Sequence, residues 1–254
     1  MGGALGGGAT IFLYAIRERE LVLDLFESLV GARLLYGFFQ VGGVRYDLPP
    51  GWIEKCRSTI DLISSRLNEY ERMLEDNPFF LIRTKGIGHI SRELAEDVGI
   101  SGPLLRGSGV NFDIRKSKPY SSYEDFDFTV PVETVGDCFA RYRVRMGEFR
   151  QAISIVRQAL DRLPEGPISS RTALKSVAQI RVPKGEAYAR VEGPRGEVGA
   201  YVVSDGSAKP YRMKWRGASF SNLAVLPYII PGHKVADVVV IMGSVDPVFG
   251  EVDR

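Results

Sequence analysis

The residues best suited to chemistry lie in the closing stretch, Ala236 to Arg254. An apolar run, Val238 to Met242, passes through Gly243-Ser244 into Asp246-Pro247-Val248-Phe249-Gly250-Glu251-Val252-Asp253-Arg254. Carboxylates alternate there with Val and Phe, while a Pro fixes one turn and a Gly permits another. Chain ends usually fray; this one is expected to be buried and shaped. An acid beside apolar walls can hold or supply a proton, but taken alone Asp246 reads as the opener of an Asp-Pro turn.

The remaining candidates point elsewhere. His89 falls in a Gly86 to Ile90 loop and is expected to be solvated. His233 sits just before a helix, and its spacing to Asp237 suggests a structural pair at i, i+4. Cys56 and Cys138 are far apart with no Cys neighbour, so no disulfide framework or CxxC metal site is indicated, and a reduced, cytoplasmic setting fits. No Ser-His-Asp or Cys-His set is present, and the glycines at 6 to 8 lack the strand and Gly-Lys-Ser/Thr of a phosphate loop.

These residues must be positioned by a sizeable scaffold. A chain of 254 residues with 44% hydrophobic content buries a substantial core. A net charge of +2 indicates neither a nucleic-acid surface nor an acidic tail. No apolar run reaches the roughly 18 to 20 residues of a bilayer span, and no secretory signal precedes the first helix. Membrane association would therefore be peripheral or through partners.

Helical periodicity runs from Thr10 to about Leu29, with Phe12, Leu13, Ile16, Leu23, Phe26 and Leu29 on a broad face, and again from Trp52 to Glu75. Asn77-Pro78 ends the second helix. A short helix spans Ser91 to Val98, and 99 to 135 reads as a long irregular connection of the kind that serves function or interfaces. Asp137 can cap a third long helix to about Leu163, with Phe139, Tyr142, Met146, Phe149, Ile153, Val156 and Leu160 on one side. Beyond Ile180 the texture becomes β-rich. Ala187–Val191 and Val198–Val203 flank a Gly-Pro-Arg-Gly turn, Tyr211–Arg216 alternates as a third strand, and Ser219–Leu226 and Lys234–Met242 return to helix. The expected class is α+β, mainly a helical bundle with a small antiparallel sheet near the C-terminus; residues 1–179 would form the bundle and 180–254 the sheet, last helices and tail.

Several separated motifs in order resemble one family: Arg17-Glu18-Arg19-Glu20, Gly31-Ala32-Arg33, Gly42-Gly43-Val44, Leu105-Arg106-Gly107-Ser108-Gly109, Lys118-Pro119-Tyr120, Gly136-Asp137-Cys138, Gly193-Pro194-Arg195-Gly196-Glu197 and the closing Asp246 to Arg254. They are similar to the D subunit of respiratory complex I, the quinone-site subunit, a relative of the large subunit of nickel-iron hydrogenases. The resemblance implies a hydrogenase-like fold and a role in NADH:quinone oxidoreductase. It also implies that an N-terminal third, carrying the His and Tyr that meet the quinone headgroup, precedes this sequence.

In the hydrogenases the equivalent tail reads Asp-Pro-Cys-x-x-Cys, with thiolates holding the metal. Val248 and Glu251 stand at those positions, so the resemblance argues against a metal here. It implies instead part of a quinone pocket, with Val248, Phe249 and Phe12 as apolar wall and Asp246 as the acid, beside an iron-sulfur cluster of a partner subunit. NADH binding is expected in other subunits, and the location is the cytoplasmic face of the inner membrane. A related complex fed by reduced F420 or ferredoxin, a hydrogenase, and a non-catalytic fragment are the alternatives. Leu35 replaces a family His, and Gln40 a family Arg, near that cluster. Loss of those cations implies a low-potential cluster and a menaquinone-like acceptor. A family acid shortly before Phe12 is also missing, where Leu5 and glycines stand.

Overall fold

A computed structural model of the protein describes residues 9–170 and 181–253. Leu5, the glycines at 6 to 8 and Arg254 lie outside the described residues. The first helix, α1 (Ala9–Val30), packs along α2 (Trp52–Glu75). Between them is a small antiparallel hairpin, β1 (Phe39–Gln40) and β2 (Gly43–Val44). Both helices fall where the periodicity places them, but the expected apolar face of α1 is only partly buried. Leu23 and Leu25 are covered, whereas Phe12 and Leu13 are 54% and 62% exposed. Glu18 turns inward instead, held by Arg17 at 2.9 Å and Arg66 at 3.2 Å.

The dipeptide that ends α2 also starts a helix not expected from the periodicity, α3 (Pro78–Thr84). The Asn77 side chain accepts the Phe79 N–H at 3.0 Å, and Pro78 supplies a preset φ without needing a donor. Next comes α4 (Arg92–Val98), capped by Ser91 and closed by left-handed Gly99. The connection read as irregular contains α5 (Pro103–Gly107), α6 (Ile114–Ser117) and a 3-10 turn at Tyr123–Asp125.

Asp137 caps α7 (Cys138–Asp161), accepting the Ala140 N–H at 2.7 Å. That apolar side of α7 is only partly buried. Tyr142 and Ile153 are buried, but Phe149 and Val156 are 44% and 38% exposed, while Arg141 and Val144 are fully enclosed. The helix is packed against α2, α3 and α5 as well as a late helix, α10 below, so its first turns bury most of their circumference rather than one stripe.

Strands β3 (Gly185–Gly193), β4 (Gly196–Ser204) and β5 (Arg212–Arg216) form an antiparallel sheet in that order, with Val191 opposite Val198. Then α8 (Ala218–Leu223), α9 (Leu226–Ile229), α10 (Val235–Val245) and α11 (Phe249–Val252) complete the chain. The single helix expected over 219–226 is divided because Pro227 cannot continue a helix and opens a new one. The architecture is α+β, about half helical, with the small sheet toward the C-terminus.

One core joins early and late elements: Phe80, Ile90, Leu104, Tyr142, Val225 and Ile241 belong to it. A second cluster, including Leu25, Ile60, Ile63, Leu67 and Ile153, lies between α1, α2 and α7. Among the described residues, no helix is long and apolar enough to cross a membrane.

Candidate functional site at the C-terminal tail

The tail is shaped by two attachments. At the end of α10, Asp246 adopts a left-handed backbone, φ 57° and ψ 53°, and its N–H still bonds the Met242 carbonyl at 3.2 Å. Asp tolerates this conformation better than most side chains, at some cost relative to Gly. Its carboxylate Oδ2 pairs with Arg195 Nε at 3.1 Å, from the β3–β4 turn.

Arg195 is in turn placed by close backbone packing. A Cβ on Gly196 would sit 2.4 Å from Ser101 Oγ, and one on Gly102 would sit 2.5 Å from the Gly196 Cα, so the turn docks where two glycines meet. Fully buried Asn222 of α8 locks the contact. It accepts the Ser101 N–H at 3.0 Å and donates to the Arg195 carbonyl at 2.9 Å.

The second attachment is Glu251. Its carboxylate accepts the Ala218 N–H at 2.7 Å and the Ser219 N–H at 3.2 Å, and also binds the Ser219 hydroxyl. Ser219 Oγ accepts the Val248 N–H at 3.1 Å. A carboxylate on free N–H groups at the start of a helix is favourable hydrogen-bonding geometry. Both tail positions that carry thiolates in the hydrogenase pattern are therefore accounted for: Glu251 anchors the tail to α8, and Val248 is partly exposed beside it. Among the described residues, no group of three or more His, Cys, Asp or Glu is placed to hold a metal ion.

The expectation of a buried tail is corrected. Val248 and Phe249 are 38% and 63% exposed, beside and on α11, which is only four residues long and packs on α8. Phe12 is also exposed, on a helix whose principal packing partner is α2. The described residues thus hold Asp246, Val248 and Phe249 together and place Phe12 on a separate element. A cavity of about 700 Å³ opens on the sheet side of the tail, between Tyr188, Tyr201, Trp215, Phe220 and Glu251.

Beneath the tail lies a group of buried charges that local sequence patterns do not reveal. Arg106, 1% exposed, donates to Glu148 at 2.6 Å, to Glu192 at 2.9 Å and to the Phe112 carbonyl at 2.9 Å. Asp113 lies 3.7 Å from Arg106 and pairs closely with Arg115, whose guanidinium holds its carboxyl below the ordinary value against the opposing effect of burial. Burial pushes the carboxyls of Glu148 and Glu192 up, against the pull of Arg106. Arg141 is wholly buried. It donates to the Gly88 and Gly136 carbonyls and to Ser244 Oγ, fixing α7 against α10. Arg106 stands within one of the family motifs, but its burial depends on partners 42 and 86 residues away.

The histidines behave differently from one another. His89 is exposed, as expected. His233 does not pair with Asp237: its Nε2 accepts the Gly88 N–H at 3.3 Å, while Asp237 binds Arg83 at 2.8 Å and caps α10 through the Lys234 N–H at 3.0 Å. Arg83 is the stronger, charged competitor for that carboxylate. In the α1–β1 connection, Leu35 has φ 59° and is 97% exposed, and on β1 Gln40 donates to the Val44 carbonyl at 3.1 Å.

With fold and tail in view, comparison with known proteins defines the class. Residues 6–254 match the family described as respiratory-chain NADH dehydrogenase, 49 Kd subunit, and the chain belongs to that family. It is 48% identical to the NADH-quinone oxidoreductase D subunit of Desulforamulus reducens, over 97% of this chain and 66% of the relative. It is 46% identical to the NAD(P)H-quinone oxidoreductase H subunit of Nostoc punctiforme, over 98% of this chain and 68% of the relative. It shows the same identity to an NADH-quinone oxidoreductase D subunit of Rhizobium etli, over 98% and 67%. The chain spans about two thirds of the length of the curated relatives it matches.

Proposed function

We propose that this chain forms part of the quinone-reduction site of a proton-translocating NADH:quinone oxidoreductase. The observation that carries the proposal is the family match over residues 6–254, in which relatives named for quinone reduction align with almost the whole chain. In this reading Asp246 is the acid of the site, and Val248, Phe249 and Phe12 supply apolar wall. Quinone enters as substrate. Electrons arrive from an iron-sulfur cluster in a neighbouring subunit, which with membrane-arm subunits covers the exposed apolar side chains. NADH binds to another subunit, and the assembly sits at the cytoplasmic face of the inner membrane.

The tail chemistry suits this use. Phe249 and Val248 are exposed where a flat apolar headgroup needs wall. Asp246 is half-exposed and salt-bridged to Arg195, which orients its carboxylate and leaves it reachable. Turnover is a property of the assembly. The test is therefore quinone reduction by the purified complex carrying Asp246→Asn or Phe249→Ala. Asp246→Asn is expected to lower kcat by about a hundredfold, the scale of lost general acid catalysis, and Phe249→Ala to raise KM. Wild-type kcat and KM in both assembled variants would overturn the assignment; supplying NADH, reduced F420 or ferredoxin in turn identifies the donor.

A further inference from the structure

The small sheet ends on a strand whose outer edge is bare. In the order β3-β4-β5 only one side of β5 meets another strand. Among the described residues no further backbone hydrogen bond reaches Arg212–Arg216. Every second N–H and C=O of such a strand points away from its neighbour, leaving donors and acceptors for one more strand. The cavity of about 700 Å³ is lined by consecutive residues from Met213 to Gly217, and by Phe220 of α8. Consecutive strand side chains point to opposite faces, so this space borders the edge of β5 and not one face alone.

The residues of β5 define what the edge accepts. Register with β4 sets Arg212 beside Val203 and Lys214 beside Tyr201 on one face, and Met213 beside Val202 and Trp215 beside Ala200 on the other. Arg216, on the first face, is committed: it donates to the Glu197 carbonyl at 2.9 Å and to the Gly99 carbonyl at 3.1 Å. Carboxylates of the neighbouring strands are engaged as well. Glu197 pairs with Arg190 at 2.9 Å, and Glu186 accepts the Tyr201 hydroxyl. Arg212 and Lys214 form no ion pair among the described residues. The second face is apolar on β4 and β3 too, where Val202 and Ala200 pair with Ala187 and Ala189. Met213 and Trp215 at its margin are 43% and 49% exposed.

We propose that β5 is a docking edge for an extended segment of another polypeptide, which adds a fourth strand with carboxylates at alternate positions and apolar side chains between them. The carboxylates lie opposite Arg212 and Lys214, at about 5 Å between Cβ atoms. The intervening side chains continue the apolar face past Met213 and Trp215. Charge complementarity selects this occupant. Lysine and arginine on an edge strand ordinarily deter pairing, and a second copy of β5 would set like charges opposite one another. An acidic strand turns the same charges into attraction, so the edge is closed to its own kind and open to one chemistry. The proposal goes beyond the quinone-site reading and uses none of the residues assigned there.

The test is carbodiimide cross-linking of the purified assembled complex, read by mass spectrometry, together with hydrogen exchange of the β5 amides. Carbodiimide joins an amine directly to a carboxylate in contact with it. Lys214 should be joined to an Asp or Glu of another polypeptide, within a stretch that alternates acidic and apolar residues. Lys214→Glu should make the β5 amides exchange about tenfold faster, while Lys214→Arg, which keeps the charge, should leave them slow. Absence of a Lys214 cross-link, a cross-link to a carboxylate of this chain, or equal exchange in wild type and Lys214→Glu overturns the proposal. Amides protected only while lipid is present identify a membrane surface instead and overturn it too. Should Lys214→Glu fail to assemble, the cross-link and the exchange of wild type decide.

Discussion

With one carboxylate oxygen on the Ala218 N–H and the other on Ser219, Glu251 links the tail to the start of α8. Glu251→Ala leaves those donors open and should cost about 1–2 kcal/mol, the upper range for a lost N-cap; urea denaturation of the variant measures it. Arg141 is a deeper anchor. Arg141→Ala would strand the Gly88 and Gly136 carbonyls in a dry core, so a loss of about 3 kcal/mol or more is expected from the same measurement. Leu35 offers a different kind of test, because it combines a left-handed backbone with nearly complete exposure. If it faces the cluster of a neighbouring subunit, Leu35→His should raise that cluster's reduction potential and make it pH-dependent in a redox titration of the complex. A potential unmoved by the added imidazole would remove the argument for a low-potential cluster.

At the scale of elements, glycines decide where helices meet. Gly136 has φ 74°, and a Cβ there would lie 2.2 Å from the Ile90 carbonyl oxygen, which is backbone and has little room to yield. Gly136→Ala should therefore destabilise by about 2 kcal/mol or more, combining left-handed strain with overpacking, as a shifted denaturation midpoint would show. The long helices were legible in the sequence because caps and periodicity agree: Asp137 before α7 acts as read, while Ser91, read as the first residue of a helix, instead caps α4. The Asn77-Pro78 start of α3 was also written there, but it coincides with the end of α2 and looks like a stop. By contrast, α5 and α6 were not legible. They are too short for periodicity, and they exist around Arg106, whose partners come from α7 and β3. For the same reason the family pattern gave the tail residues, while the charge beneath them became visible only when distant segments were brought together.

For the molecule as a whole, two kinds of buried carboxyl give stability opposite pH dependences. Glu148 and Glu192 have folded pKa values raised by burial, so the folded state binds more protons than the unfolded chain above about pH 4.5. Their contribution is present at low pH and is lost as pH rises through the folded values. Asp113 and Glu71, held low by arginines, contribute above the ordinary carboxylate range and lose that contribution on acidification. Glu148→Gln with Glu192→Gln should flatten the decline on the rising side, seen as urea midpoints that change less between about pH 4.5 and 7. The exposed surface carries its own expectation. Leu35, Phe39 and Val235 are 97%, 84% and 88% exposed, so the isolated chain should self-associate in sedimentation experiments. Phe39→Lys should reduce that association and impair incorporation into the complex. The left-handed turn at Asp246 has an evolutionary consequence. Glycine would relax that backbone by roughly 1 kcal/mol, so selection of this chain for heat resistance alone should enrich Asp246→Gly among survivors. Selection for respiratory growth should purge the same variants, placing robustness and electron transfer in opposition at one codon.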